Sequence, residues 1–173
     1  MKTTNFEINA AQSIIEWIGR KVTGSHFGTI NIKEGLISTT DGEVTDGRIV
    51  IDNSSIRILD VTDPGLNAQF AAHLASDDFF SSAQYPEAVY EITGSRGNHI
   101  NGRLTIKGIT HPVSFDADIK IAGDTLTATG KIVVDRTKFD IKFRSGNFFQ
   151  NLGDTLIYND FDLNVNITAK AVA

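Results

Sequence analysis

Arg136 and Arg144 are the side chains in this sequence best suited to binding chemistry. They belong to the runs Asp135-Arg136-Thr137-Lys138-Phe139-Asp140 and Arg144-Ser145-Gly146. A guanidinium presents a planar fork of donors that matches phosphate oxygens. The same residues could instead form a structural ion pair with a neighbouring Asp or cap a turn, and the spacing does not choose between these roles. His26, His73, His99 and His111 are scattered. None of their spacings matches a metal motif such as His-Glu-x-x-His, so no metal centre is expected. The sequence has no Gly-x-Ser-x-Gly elbow, no phosphate-binding Gly-x-x-x-x-Gly-Lys-Ser/Thr loop and no Gly-x-Gly-x-x-Gly fingerprint. No catalytic residue is assigned, although carboxylates that converge only in the fold would leave no such trace. Cysteine is absent, which removes thiol nucleophiles, thiolate metal sites and disulfides.

The second chemical resource is aromatic. Trp17, Phe27, Phe70, Phe79, Phe80, Phe115, Phe139, Phe143, Phe148 and Phe149 could line a tunnel or fill a core. Their neighbours show what must hold them. Leu104 and Ile106 alternate with Arg103, Thr105 and Lys107, and the pattern continues through Val113, Phe115, Ala117, Ile119 and Ile121. It returns in Leu126, Ala128, Ile132 and Val134, then in Phe139 and Ile141, and last in Phe161, Leu163, Val165, Ile167 and Ala169. Period-two alternation gives each strand one apolar face. About eight such strands need a common interior, and a closed antiparallel barrel supplies it. Strands of ten residues at ~3.3 Å each would make it on the order of 30 Å tall.

One helix interrupts the strands. Asp63 suits an N-cap, Pro64 the first helical position, and Phe70 and Leu74 lie four apart on one face. Ser76 could cap a short second turn bearing Phe79 and Phe80. Residues 63–80 therefore read as a helical segment able to cover a barrel end, either as a lid or as a fixed plug. Asp41-Gly42 and Asp46-Gly47 read as turns or bulges, Arg96-Gly97-Asn98 as a hairpin turn, and Gly102 as a strand residue at a bulge or bend. His111-Pro112 reads as a turn or the start of an edge strand.

The 173 residues suit a single domain, 1–173, with no Pro- or Ser-rich linker. Sixteen basic against twenty-one acidic residues give a net charge of −5, which disfavours a nucleic-acid partner. No stretch approaches the ~18 apolar residues of a membrane helix, so the protein is expected to be soluble. Met1 to Glu7 lacks the apolar run of a secretory signal. The sequence as written points to the cytoplasm, and to the periplasm if a leader was removed. Asn53-Ser54-Ser55 matches a glycosylation acceptor that has no secretory context here. A homodimer is the base-rate assembly.

Ser25-His26-Phe27-Gly28-Thr29-Ile30, His73 to Phe80, Leu104 to Phe115 and Val134 to Gly146 resemble the YceI-like family of lipocalin-like, polyisoprenoid-binding proteins. The likeness runs from about Phe6 to Ala171. It implies an all-β fold with a short helical insertion, an elongated lipocalin-like barrel carrying a long isoprenoid lipid along its axis, and no enzymatic step. No cofactor is then required, and the bound lipid would be a quinone or a polyprenyl diphosphate. The implied tunnel lining is Trp17, Phe27, Phe70, Leu74, Phe79, Phe80, Leu104, Ile106, Phe115, Ala117, Ile132, Phe139 and Ile141, with Arg136 and Arg144 as headgroup contacts. Within the family-like runs, His26 and His73 are expected to order turns by hydrogen bonding. A filled barrel acting as a structural or protein-interaction module is the alternative, and an enzyme acting on an isoprenoid is the third. The sequence departs from the family pattern over Asn147 to Asp154, where Phe148, Phe149 or Tyr158 could reshape one barrel end.

Overall fold

Alternating strands must pair to satisfy their backbone groups and must close to cover their apolar faces. A computed structural model describes residues 2–21, 24–76, 79–141 and 157–172 of this chain. It contains β1 (Thr3–Ile8), β2 (Ile14–Lys21), β3 (Gly24–Thr40), β4 (Glu43–Ile58), α1 (Pro64–Ala75), β5 (Glu87–Arg96), β6 (His99–Ile106), β7 (Ile109–Ala122), β8 (Thr125–Asp135) and β9 (Ile157–Ala171). All pairings are antiparallel, in the order β1-β3-β2-β9-β8-β7-β6-β5-β4, and β3 pairs with β4 to close the ring.

The result is the expected lipocalin-like barrel with eight strand positions and one short helix. One position is shared. Both β1 and β2 lie between β3 and β9, β1 against residues 36–40 of β3 and β2 against residues 24–30. A single 3₁₀ turn at Ala10–Gln12 separates them. Asn9 caps that turn by accepting from the Ala11 and Gln12 amides, and the Ser13 hydroxyl accepts from the Thr168 amide at 3.0 Å.

Turn chemistry follows the sequence. Asp41-Gly42 and Lys107-Gly108 both hold positive φ at two successive residues, the geometry that matches the right-handed twist of a two-residue hairpin. Asp46-Gly47 lies within β4 beside a register shift opposite Ser38 and Thr39, so it marks a bulge. Gly97 turns β5 into β6. Pro112 lies inside β7 opposite Arg103, where β7 has β6 as its one ladder partner among the described residues. A missing N–H costs least on such an edge. The neighbouring gap, between residues 109–116 of β7 and residues 131–135 of β8, is approached by the 3₁₀ turn Arg136–Phe139. There the fully buried Phe139 meets His111 edge-on, with ring centroids 5.5 Å apart.

Gly102 sits in β6 beside the expected irregularity, a register shift between its pairing with Ile92 and that of Asn101 with Gly94, and it also serves packing. A Cβ there would lie 2.4 Å from Tyr90 Cζ and 2.6 Å from the Glu91 carbonyl oxygen. The Tyr90 ring crosses this space and donates its hydroxyl to the Val113 carbonyl at 2.6 Å. Phe115 stands beside it, ring centroids 5.9 Å apart, over Gly130, where a Cβ would come within 2.9 Å of the Phe115 ring. These two aromatics form a bar across β5 to β8. Beyond it, toward the Asp41-Gly42 and Gly97 hairpins, Phe6, Ile37, Ile92, Ile100, Leu126 and Ala169 fill the lumen.

Gly102→Ala is expected to lower stability by about 1–3 kcal/mol in urea unfolding, because overpacking displaces the Tyr90 ring. Gly94→Ala, with open space where its Cβ would stand and no positive φ, is expected to be neutral or to stabilise by up to ~1 kcal/mol. Equal effects at the two positions would show that the ring does not occupy the Gly102 niche.

Candidate functional site

The opposite end of the barrel is hollow. A cavity of about 620 Å³ opens below α1. Its wall comes from Ile15 and Trp17 of β2, Ile30 of β3, Ile51 and Ile56 of β4, Ala88 of β5, Leu104 and Ile106 of β6, and Phe161 and Leu163 of β9. Trp17 reaches this position because Gly28 opposite it has no side chain. A Cβ on Gly28 would fall 2.8 Å from the indole and 1.7 Å from the Arg57 carbonyl oxygen. The indole Nε1–H donates to that same carbonyl at 3.2 Å.

α1 closes one side. Asp63 caps it by accepting from the Gly65 and Leu66 amides at 2.9 and 3.1 Å, with Pro64 in the first turn as the sequence predicts. Asn67 tethers the helix to the barrel by donating to the carbonyls of Ile58 and Val61, both at 2.9 Å. Phe70 meets Trp17 and His26, and Leu74 is the residue of α1 that becomes fully buried. Ser76 ends the helix by donating its hydroxyl to the His73 carbonyl, and its own carbonyl accepts from the Phe79 and Ser81 amides. That turn brings Phe79 against His73 and Phe80 against Phe161.

Polar groups gather at the rim. Arg20, Lys21, His26, Gln69, Tyr158 and Asp160 line the cavity there. His26 Nδ1 lies 2.7 Å from Asp60 Oδ2, while Asp60 Oδ1 accepts from the Phe27 amide at 3.1 Å. Burial opposes the Asp60 charge, but the Phe27 amide and His26 outweigh it and hold this carboxyl below its ordinary value. On the outer face Asp162 accepts from Arg20 at 2.6 Å with Lys131 at 3.3 Å, and the Arg20 bond holds this carboxyl low against the cost of its burial.

Arg136 is 4 % exposed and borders the cavity. Its Nε–H donates to the Tyr158 carbonyl at 3.0 Å, Nη1 to Ile141 at 2.9 Å and Nη2 to Ile157 at 3.0 Å. Burial pulls its pKa down to about 10, with Asp135 acting in the other direction. This guanidinium ties the end of β8 to the start of β9, so its structural role accounts for three of its five N–H groups. Arg144, Phe143, Phe148 and Phe149 lie outside the described residues.

Of the tunnel residues named from the sequence, Trp17, Phe70, Leu74, Phe79, Phe80, Leu104, Ile106 and Ile141 line this cavity. Five do not. Phe27 is 47 % exposed on the outer face. Phe115 belongs to the aromatic bar, and Ala117 is buried at the filled end opposite Gly130. Ile132, opposite Leu163 on the same inner face, and Phe139, against His111, are buried without bordering the cavity. The lumen is thus neither a continuous tunnel nor wholly filled. Phe161 and Leu163 had an alternation signal and were missed as lining because alternation does not report height along the axis. Asn53 had none: it is buried, donates to the Tyr85 carbonyl at 3.0 Å and turns toward the cavity from β4. Among the described residues no three His, Asp or Glu side chains are placed to hold a metal ion, and no helix is long and apolar enough to cross a membrane.

Comparison with known proteins extends this picture. A profile of the YceI-like domain matches residues 6–169. A UPF0312 protein of Vibrio campbellii is 30% identical over 130 residues, covering 69% of this chain and 68% of its own. The crystal structure of BcnA from Burkholderia cenocepacia superposes with a TM-score of 0.74 over 94% of this chain and 99% of that one, at 18% identity. A polyisoprenoid binding domain from Saccharophagus degradans, implicated in plant cell wall breakdown, gives 0.69 over 96% and 98%, at 10% identity. At those identities the two structures share the fold.

Asp60→Asn is expected to cost about 1–3 kcal/mol at pH 7, the worth of hydrogen bonds to a charged group. A carboxyl held low when folded stabilises fully above ~pH 4 and loses that contribution as pH falls through its folded pKa. The gap between wild type and variant in urea midpoint should therefore shrink between pH 7 and pH 3. An equal gap at both would show that the Asp60 charge contributes nothing.

Proposed function

The chain belongs to the YceI-like family, and on that premise we propose that it binds one isoprenoid lipid, with its hydrocarbon in the cavity below α1 and its polar end at the rim. The observation that supports this reading is the arrangement of the cavity itself. Its deep wall is aliphatic and aromatic, while cationic and hydrogen-bonding groups stand at the mouth. Burying hydrocarbon gains ~0.8 kcal/mol per CH₂ before ordering costs, so a chain of modest length needs few polar contacts to be retained. The headgroup would be a quinone or a diphosphate. Arg20, Lys21 and His26 stand at the rim for it, Arg20 and His26 while also paired with Asp162 and Asp60, whereas Arg136 has three of its five N–H groups committed to backbone carbonyls.

We read the role as carriage without a chemical step, in keeping with the polyisoprenoid binding domain that shares this fold. α1 would serve as the lid. Its anchors on the barrel are Asn67 and Leu74 with the ring contacts of Phe70, and Leu66 on its first turn is 58 % exposed. A short helix that lies outside the strand ladder can lift without opening it.

Two measurements test the binding. Solvent extraction of the purified protein followed by mass spectrometry should yield an isoprenoid near one equivalent. Trp17 is the sole tryptophan and lines the cavity, so its fluorescence should change on titration with a short-tail ubiquinone. Ala88→Phe, which fills space in the wall, is expected to weaken that binding at least tenfold, or about 1.4 kcal/mol. Val133→Phe on the outer face should leave it unchanged. Binding unaffected by Ala88→Phe would place the ligand elsewhere.

A further inference from the structure

We propose that the cavity mouth carries an anion subsite, a notch over Gly19 between Lys21 and Arg136, and that it takes the diphosphate of a prenyl diphosphate rather than the ring of a quinone. This rests on the isoprenoid reading above and names its headgroup class. Three observations carry it.

The first is charge without a counter-charge. Of the cationic side chains bordering the cavity, Arg20 is engaged with Asp162 and His26 with Asp60. Lys21 and Arg136 border it as well, and no carboxylate of a described residue lies within ion-pair distance of either. Arg136 is buried, and its three acceptors are neutral carbonyls. Asp135, the neighbouring acid, turns its Oδ1 to the Thr137 amide and hydroxyl. A buried guanidinium whose charge is met only by carbonyl dipoles gains more from an added anion than a hydrated one does. A quinone accepts hydrogen bonds but brings no charge.

The second is convergence. β9 runs between β2 and β8. Lys21 pairs with Ile157 from the β2 side, and Arg136 donates to the Ile157 carbonyl at 3.0 Å from the β8 side. The two cations thus flank one residue of the mouth. Asp160 borders the same mouth and opposes an anion there, but it is one carboxylate against two cations.

The third is room. Gly19 borders the cavity two residues before Lys21, and a Cβ there would meet nothing within 4 Å. Gly28 differs, because the Trp17 indole occupies its space. The wall therefore has a recess of side-chain size beside the Lys21 ammonium.

The test holds the hydrocarbon constant. Geranylgeranyl diphosphate and geranylgeraniol are titrated against the intact protein by Trp17 fluorescence, and inorganic diphosphate is run as a competitor of the former. The prenyl diphosphate is expected to bind at least about tenfold tighter than the alcohol, and inorganic diphosphate to displace it only at roughly a hundredfold higher concentration. Lys21→Met should cut the preference for diphosphate over alcohol about fivefold, and Asp160→Asn should raise it about threefold. Gly19→Val keeps every charge but fills the notch, and it should also cut the preference. An alcohol bound within about twofold of the diphosphate would overturn the anion subsite while leaving the isoprenoid reading intact. No binding of either prenyl ligand would overturn both. Inorganic diphosphate competing at the same concentration as the prenyl ligand would assign the subsite to a free anion and overturn the headgroup assignment. An unchanged preference in folded Lys21→Met and Gly19→Val would remove the notch from the role.

Discussion

The placement of Tyr90 over Gly102, with its hydroxyl fixed to the Val113 carbonyl, is the contact on which the character of this lumen depends. An eight-position barrel encloses enough room either to be filled by its own side chains or to hold a slender ligand. Here both outcomes occur in one molecule, with the aromatic bar in the filled part. On one side Phe6 and aliphatic side chains pack into a buried cluster. On the other, α1 replaces side-chain filling with a cover, and the wall residues face a void. The cost of a void is lost dispersion contact on its lining, and a bound hydrocarbon would restore that contact.

Glycine makes the bar and the wall possible. Gly28, Gly102 and Gly130 each lie beneath an aromatic ring, Trp17, Tyr90 and Phe115 respectively, in places where any Cβ would collide. Each ring comes within contact distance of where the glycine's Cβ would stand, so the glycine recovers packing that it would otherwise lack. Trp17 and Tyr90 also place their polar atoms on backbone carbonyls, so neither ring buries an unmet donor.

Charge is used around the hollow end rather than inside it. Arg136 ties the β8 and β9 termini through three carbonyls, Asp60 joins His26 to the loop entering α1, and Asp162 gathers Arg20 and Lys131 on the outer face. A barrel end without side-chain filling has less apolar packing to hold its strands together. These ties compensate where the ladder is weakest, including the seam where residues 109–116 of β7 and residues 131–135 of β8 do not pair. A buried guanidinium on carbonyls is stabilising only while all its partners remain, which makes the position intolerant of replacement.

The sequence by itself determined which residues face inward on most strands, though not at Phe27 of β3, where α1 begins, and which turns join β3 to β4 and β5 to β6. All of these follow from interactions within a few residues: the two-residue side-chain period, an Asp-Pro cap, and glycines free to adopt positive φ. It therefore placed Leu104 and Phe115 alike on the inner face. Only the tertiary structure decided that Leu104 borders the cavity while Phe115 does not, and that Phe27 lies outside. Height along the barrel axis is fixed by register between strands far apart in the chain and by bulges such as those between β3 and β4. Alternation carries no information about register. The same holds for Arg136, whose acceptors lie on a strand more than twenty residues away and on the turn that follows it.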